Sequence, residues 1–311
     1  MNPMRDSPKF IRNLEKEGMF ARVVSIEHLD ELGSEVRSLH GDGCLNDTFY
    51  RDYAKPFFTP ELPKRFPRAK SIIVLAIPQP MLRVTFLWNG EMVKGNVPPT
   101  YSDYYRTYRS GRRLLADALG KESSRLVKAV LPLKLLAVRS GLAMYGRNNI
   151  TYLPGRGSFH RLMAFYSDYD SPVDNWQEKK ALPKCSKCTA CLKACPTGAI
   201  RKDRFLINAE RCLSYMNEKD SKHPFPRWVP RSAHNSIVGC MRCQAACPYD
   251  RDVIGWCVER GRFSEEETAY LLKGRFSGSK AAKIEKKLKR FGLDLSIFPR
   301  NLEVLIAQLD R

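Results

Sequence analysis

No apolar run in this sequence approaches the roughly 18 residues that a membrane-crossing helix needs; the most apolar stretch, residues 71–77, is the length of a strand. The N-terminal residues are polar and charged, without the apolar centre of an export signal, and the expectation is a cytoplasmic protein with no membrane partner. Acids are scarce, with 33 Asp and Glu against 53 Lys and Arg, which gives a formal charge of +20. Histidine is scarce too, and none of the five His has the spacing of a ligand pair, which removes the histidine-based metal motifs. No G-x-G-x-x-G stands at a strand-to-helix turn, so nothing suggests a dinucleotide site. Low-complexity tracts are absent, and 43% hydrophobic with 28% charged residues is the composition of an ordinary globular chain.

What the chain does have is concentrated cysteine. Eight of its ten fall between residues 185 and 247. Disulfide scaffolds are short and secreted, and this chain is neither. Cys185, Cys188, Cys191 and Cys195-Pro196 form C-x2-C-x2-C-x3-C-P. Cys240, Cys243 and Cys247-Pro248 repeat that run with one cysteine missing, and Cys212 can supply the absent thiolate. Eight thiolates hold two [4Fe–4S] clusters. The short gaps let one loop wrap three thiolates around a cluster, while the cysteine before each proline faces the neighbouring cluster, as in bacterial two-cluster ferredoxins. Cys185, Cys188, Cys191 and Cys247 are therefore expected on one cluster, and Cys195, Cys212, Cys240 and Cys243 on the other. Zinc is the competing metal, because C-x2-C pairs bind it as well. Each cluster with its thiolates carries about −2, leaving a net charge of roughly +16 that still favours anionic partners. Cys44 and Cys257 lack ligand spacing and read as ordinary thiols.

The local patterns predict an α+β chain of three regions: mixed α/β over 1–175, a ferredoxin-like two-cluster region over 176–260, and a short basic helical segment over 261–311. Residues 21–26 and 71–77 read as strands, the second apolar enough to be buried on both faces. Val84, Phe86 and Trp88 alternate before Asn89-Gly90, with residues 91–93 after it, which signals a hairpin. Residues 102–119 read as a helix opened by Ser102 or Asp103, and 127–140 as another that Pro132 delays or kinks. Near the end, Ala281, Ile284, Leu288 and Phe291 fall on one helical face.

The cysteine order, with Arg211-Cys212-Leu213-Ser214-Tyr215 and Cys240-x-x-Cys243-Gln244-x-x-Cys247-Pro248, resembles that of the epoxyqueuosine reductases. So do Asp103-Tyr104-Tyr105 before a basic helix, Gly141-Leu142 through Gly146-Arg147-Asn148-Asn149, Gly157-Ser158, and Arg300-Asn301. That family reduces an epoxide in a tRNA wobble nucleoside with cobalamin and two [4Fe–4S] clusters. The resemblance implies that the N-terminal region is cobalamin-binding, that Asp103 donates a proton, and that Gly146, Arg147, Asn148, Gly157, Ser158 and Ser214 line the cofactor. It also implies an electron donor such as ferredoxin or flavodoxin, and tRNA or another anionic substrate. The chain departs from the pattern at Tyr105 and Arg147, where the family has His and Lys. It lacks the Pro-x-x-Glu ahead of the Gly-Leu segment, and it ends before the helical repeats of longer members.

Without the resemblance Asp103 reads as a helix cap, the glycines between 141 and 157 as turn formers, and Arg106, Arg109 and Arg113 as a solvated helix face. The competing function is a two-cluster electron carrier or activator with no substrate of its own, and a further one is an RNA-binding protein with structural clusters. A region of about 175 residues ahead of the cysteines favours a reductase with a substrate pocket.

Overall fold

The computed structural model describes residues 7–58, 61–123, 125–204, 206–289 and 293–308. Its strands are β1 (Phe20–Ser25), β2 (Ser71–Pro78), β3 (Met81–Trp88), β4 (Glu91–Val97), β5 (Leu126–Lys128), β6 (Met144–Tyr145), β7 (Thr151–Tyr152), β8 (His160–Ser167) and β9 (Cys257–Phe263). The chain folds as two compact units. One comprises residues 1–78 and 106–188, the other 79–105 and 189–311.

In the first unit β1, β2, β8 and β5 form one sheet in that order, every pair antiparallel. The apolar run of β2 sits at its centre and is buried on both faces, as its composition predicts. Ile72, Val74 and Ala76 share a core with Leu32 and Val36 of helix Leu29–Gly41 and with Leu135 and Leu136 of helix Leu133–Arg139. Ile73 and Leu75 face the other way, onto Phe10, Ile11 and Leu14 of helix Lys9–Lys16 and Leu115 and Leu119 of helix Tyr104–Leu119. That last helix buries Thr107, Gly111, Leu115 and Leu119, a stripe of i, i+4 spacing. Gly111 allows a close approach, since a Cβ there would lie 2.6 Å from Ile77. Arg106, Arg109 and Arg113 lie on the exposed side.

Of the helix expected over 127–140, the delayed start at Pro132 is borne out and the first residues are corrected. Leu126–Lys128 pairs with β8 as a strand, and the helix begins only at Leu133, with Pro132 at its N-cap. Proline has no N–H for the ladder and crowds the preceding turn, so the helical pattern starts after it.

In the second unit the sheet order is β4, β3, β9. The β3–β4 hairpin turns at Asn89 (φ 49°) and Gly90 (φ 79°), both left-handed as a two-residue hairpin requires. β9 lies parallel to β3, from Met81 opposite Cys257 to Phe86 opposite Phe263, and the two rings of the latter pair stack 5.1 Å apart. This long-range pairing is why the compact units cut across the three consecutive regions read from the sequence: 79–105 leaves its sequence neighbours and joins the C-terminal half. Leu82, Val84 and Phe86 pack there with Leu271, Ile284, Leu288, Phe298 and Leu302 from helices Glu265–Lys273, Gly278–Lys289 and Phe298–Ile306. Ile284 and Leu288 are buried as expected and Ala281 is half-buried, whereas Phe291 lies outside the described residues. Among the described residues no helix is long and apolar enough to cross a membrane.

Candidate iron–sulfur site and its flanking carboxylate

The cysteines ride on very short helical turns broken by prolines. Cys185 sits in the 3-10 turn Pro183–Ser186, Cys191 in helix Ala190–Ala194 and Cys243 in helix Arg242–Ala245. A proline disfavours helical backbone in the residue before it. Accordingly Cys195 (φ −79°, ψ 108°) and Cys247 (φ −82°, ψ 123°) are extended, each leaving its turn before Pro196 or Pro248. Cys212 is extended too, immediately before helix Leu213–Glu218.

Four thiols of the second unit feel one another. Burial pushes the Cys240 thiol up to about 12, with Cys212 and Cys195 adding to the rise. Cys243 is held well above the ordinary thiol range by burial and then by Cys240, Cys212, Cys191 and Cys195. Burial also raises Cys212, against hydrogen bonds from the backbone of Ser214 and Tyr215 and the Ser214 hydroxyl, with Cys195 contributing to the rise. In Cys195 burial is outweighed by donors, namely the Thr197 hydroxyl at 3.6 Å and the backbone of Thr197, Ala199 and Ile200, and its thiol is lowered. Four sulfurs this close cannot ionise together unless positive charge lies among them, which is the condition a thiolate-ligated cluster meets. Among the described residues no three Cys, His, Asp or Glu side chains converge on the point of a single ion; a four-iron cube spreads its thiolates more widely than one ion does. The Ser214 hydroxyl is thus engaged with the Cys212 sulfur.

A buried set of polar side chains fixes these loops. Arg300, 9% exposed, donates to the backbone carbonyls of Met216 (2.8 Å), Lys219 (3.0 Å) and His223, and to Asn301 Oδ1 (2.8 Å). Its guanidinium lies 4.1 Å over the Phe225 ring. Asn301 donates to the carbonyls of Asn217 (2.9 Å) and Ile237 (2.8 Å), and buried Asn217 donates to Gly239 (2.7 Å). The stretch after Cys212 is thereby tied to the stretch before Cys240. Arg300-Asn301 entered the sequence reading only as a family likeness; for Asn217 no local signal existed.

Gly239 (φ 68°) links this clamp to Asp103. A Cβ there would come within 2.7 Å of Tyr101 and 2.9 Å of Pro98, so the Cys240 loop packs directly on the turn before Asp103. The Tyr101 hydroxyl bonds the Glu218 carboxylate, and buried Ser102 donates to Pro80 (3.1 Å) and Pro98 (3.3 Å). Asp103 itself is left-handed (φ 48°), which is uncommon outside glycine and is not the extended conformation of an N-cap. Its half-buried carboxylate lies 3.8 Å from Arg260.

In the first unit Gly146, Arg147 and Asn148 occupy the turn between β6 and β7, and Gly157 and Ser158 follow where Leu153 bridges Gly157. Arg147 and Asn148 are engaged within the chain. Buried Arg147 donates to the carbonyls of Cys185 (3.0 Å) and Ser186 (3.4 Å), and Asn148 donates to the Tyr152 hydroxyl (2.8 Å). Gly146 accommodates Asn148 and Tyr152, each 2.6 Å from where a Cβ would stand. Gly155 and Gly157 are left-handed, and the space beside Gly155 is open.

Residues 184–250, which contain all eight motif cysteines, match the family described as 4Fe-4S double cluster binding domain. The cofactor of this segment is a pair of [4Fe–4S] clusters. The epoxyqueuosine reductase of Streptococcus thermophilus superposes on 100% of this chain and 82% of its own, with a TM-score of 0.66 and 20% identity. The chain has the epoxyqueuosine reductase fold. A second structure, an epoxyqueuosine reductase with a tRNA-Tyr epoxyqueuosine-modified stem loop, covers 92% of this chain and 76% of that one at a TM-score of 0.62 and 22% identity. In sequence, the Vibrio cholerae epoxyqueuosine reductase is 31% identical over 155 residues, 48% of this chain and 40% of the relative. The Escherichia coli enzyme is 34% identical over 116 residues, 37% and 29% of the two chains. The matched stretch is thus less than half the length of these curated relatives.

Proposed function

We propose that this protein is a cytoplasmic, cobalamin-dependent iron–sulfur reductase that removes the epoxide oxygen of epoxyqueuosine in tRNA. The observation that carries the reading is Asp103. A half-buried carboxylate in left-handed backbone, packed through Tyr101 and Pro98 against the Cys240 loop, is a strained group beside a redox site. Such strain persists only where the surrounding structure over-determines the geometry, and it clusters at active sites.

In this reading Cys195, Cys212, Cys240 and Cys243 hold one cluster and Cys185, Cys188, Cys191 and Cys247 the other. The clusters pass on single electrons received from a ferredoxin- or flavodoxin-like carrier. Cobalamin, when bound, supplies a low-valent cobalt as reductant. In the first unit Gly157 and Ser158 follow a left-handed turn with open space beside exposed Gly155, where backbone can approach a large ligand. Removing the epoxide oxygen takes two electrons and two protons and yields an alkene and water. Asp103 delivers a proton to the departing oxygen, and Arg260 stabilises the carboxylate that remains. Cysteine thiolates kept as cluster ligands suit the reducing cytoplasm.

The test is anaerobic reconstitution with iron, sulfide and hydroxocobalamin, followed by turnover of tRNA bearing epoxyqueuosine. Retained corrinoid, absorbance near 400 nm and conversion to queuosine support the reading. Loaded clusters with no corrinoid and no conversion refute it in favour of an electron carrier.

A further inference from the structure

Electrons must enter from another protein, at a surface that adjoins the ligand loops of a cluster. Arg211 lies on such a surface. It is exposed, it precedes Cys212 directly, and its Nε donates at 3.0 Å to the carbonyl of Thr197, two residues beyond Cys195. Both cysteines belong to the same proposed cluster. The Arg211 guanidinium also lies 4.4 Å over the ring of Trp228, which is 47% exposed.

An exposed indole on a loose loop would mean little. This one stands on a fixed turn, closed by the Val229 N–H to the Pro226 carbonyl at 2.9 Å. Val229 is buried with Leu213, Met216 and Ala233, beneath the helix that follows Cys212. The ends of the loop are held as well, by Arg300 on the His223 carbonyl and by Gln308 on the carbonyls of Arg231 (3.2 Å) and His234 (3.1 Å). Arg227 and Arg231 flank Trp228 and are exposed. From residue 211 to 242 there are six Lys and Arg against two acids.

We infer that the face formed by Arg211, Trp228, Arg227 and Arg231 is the docking surface for an acidic one-electron carrier protein. The inference rests on the two-cluster reading above. A central aromatic within a ring of arginines has the composition of a binding hot spot, and positive charge steers an acidic partner and sets its rate of encounter. A basic surface would serve RNA equally well. The carrier is favoured because Arg211 touches both sides of one cluster's ligand loops, and an electron donor, unlike a phosphate backbone, has to approach a cluster closely.

The test uses the cluster-loaded chain and two reductants in stopped flow: photoreduced bacterial ferredoxin, which is acidic, and the methyl viologen radical, which is small and cationic. Trp228→Ala and the pair Arg227→Glu with Arg231→Glu should each slow bleaching by ferredoxin by about tenfold or more, and the charge-reversed pair should also flatten its salt dependence. Reduction by viologen should stay at the wild-type rate. Wild-type rates with ferredoxin in both variants overturn the inference. So does a loss of transcript tRNA binding with ferredoxin rates intact, which would assign the surface to RNA. A chain with far fewer than about eight irons, or one that viologen cannot reduce, would instead overturn the two-cluster reading beneath it.

Discussion

Replacing Arg300 by methionine removes a guanidinium that several main-chain carbonyls surround and that the Asp220 charge favours. Two opposing effects set the outcome. Burial lowers the Arg300 pKa from its ordinary value to about 10, so carrying the charge inside costs about 3 kcal/mol at neutral pH, and methionine relieves that cost. Against it stand the buried Met216 carbonyl and Asn301 amide oxygen, with the part-buried carbonyls of Lys219, Asp220 and His223, all left short of a donor. At roughly 1–3 kcal/mol for each orphaned acceptor, the loss exceeds the relief, and Arg300→Met should destabilise the second unit by about 3 kcal/mol. Because those carbonyls lie on the stretch after Cys212, the loss should appear as metal as well. Iron should fall from about eight toward about four per chain, with a matching loss of absorbance near 400 nm, while helical circular dichroism below the transition is retained. Arg300→Lys is the sharper probe: it keeps the buried charge yet reaches fewer acceptors, so it should do no better than methionine. Full iron content and an unchanged melting temperature in Arg300→Met would refute the reasoning.

Asp103→Asn should leave iron and corrinoid content unchanged and lower conversion of epoxyqueuosine by about 10²-fold or more; wild-type turnover would return Asp103 to a structural role. Cys212→Ser should cost one cluster and spare the other, read as about four irons by metal analysis and one surviving paramagnetic signal on reduction. Gly239→Val should displace the Tyr101 turn, because even a Cβ meets Tyr101 at 2.7 Å and the φ of 68° is strained for a branched residue; a variant with wild-type stability and cluster content would contradict that packing. Burial lowers His160 and His234 from 6.5 to about 4, with Arg300 and Arg242 adding to the effect on His234. Both are neutral in the folded chain and protonate first in the unfolded one, so their stability is fully present above pH 6.5 and is lost as pH falls toward 4. The loss amounts to about 2 kcal/mol each by pH 5. Denaturant titrations from pH 7 to 5 should show a shallower decline in His160→Gln than in wild type, and equal slopes would contradict it.

How much of this was legible locally varies by element. The burial of β2 on both faces followed from its unbroken apolar run, and the β3–β4 hairpin from alternation ending in Asn-Gly. The strand at 126–128 was not legible, because three residues carry too little pattern to compete with the helical run beyond Pro132. Asp103 could be read as a cap, since an acid before a helix is one in most chains; only its backbone angle and its Arg260 partner separate the two readings. Arg147 stood out only through resemblance; that its guanidinium meets the carbonyls of the first cysteine turn is a contact of the folded chain.

The metal chemistry was already written in the chain, because sulfur ligands at two- and three-residue gaps, the last of each run held extended by the proline that follows it, are local facts. Hydrophobic period likewise set which runs lie inside. Only the tertiary structure decided that β9 completes the hairpin's sheet, that Arg300 and Asn301 brace the loops after Cys212 and before Cys240, and that Gly239 seats the Asp103 turn against the second of these. Those partners lie from 64 to more than 170 residues apart in sequence or meet through single hydrogen bonds. Short-range pattern carries no record of contacts that exist only once the chain has folded.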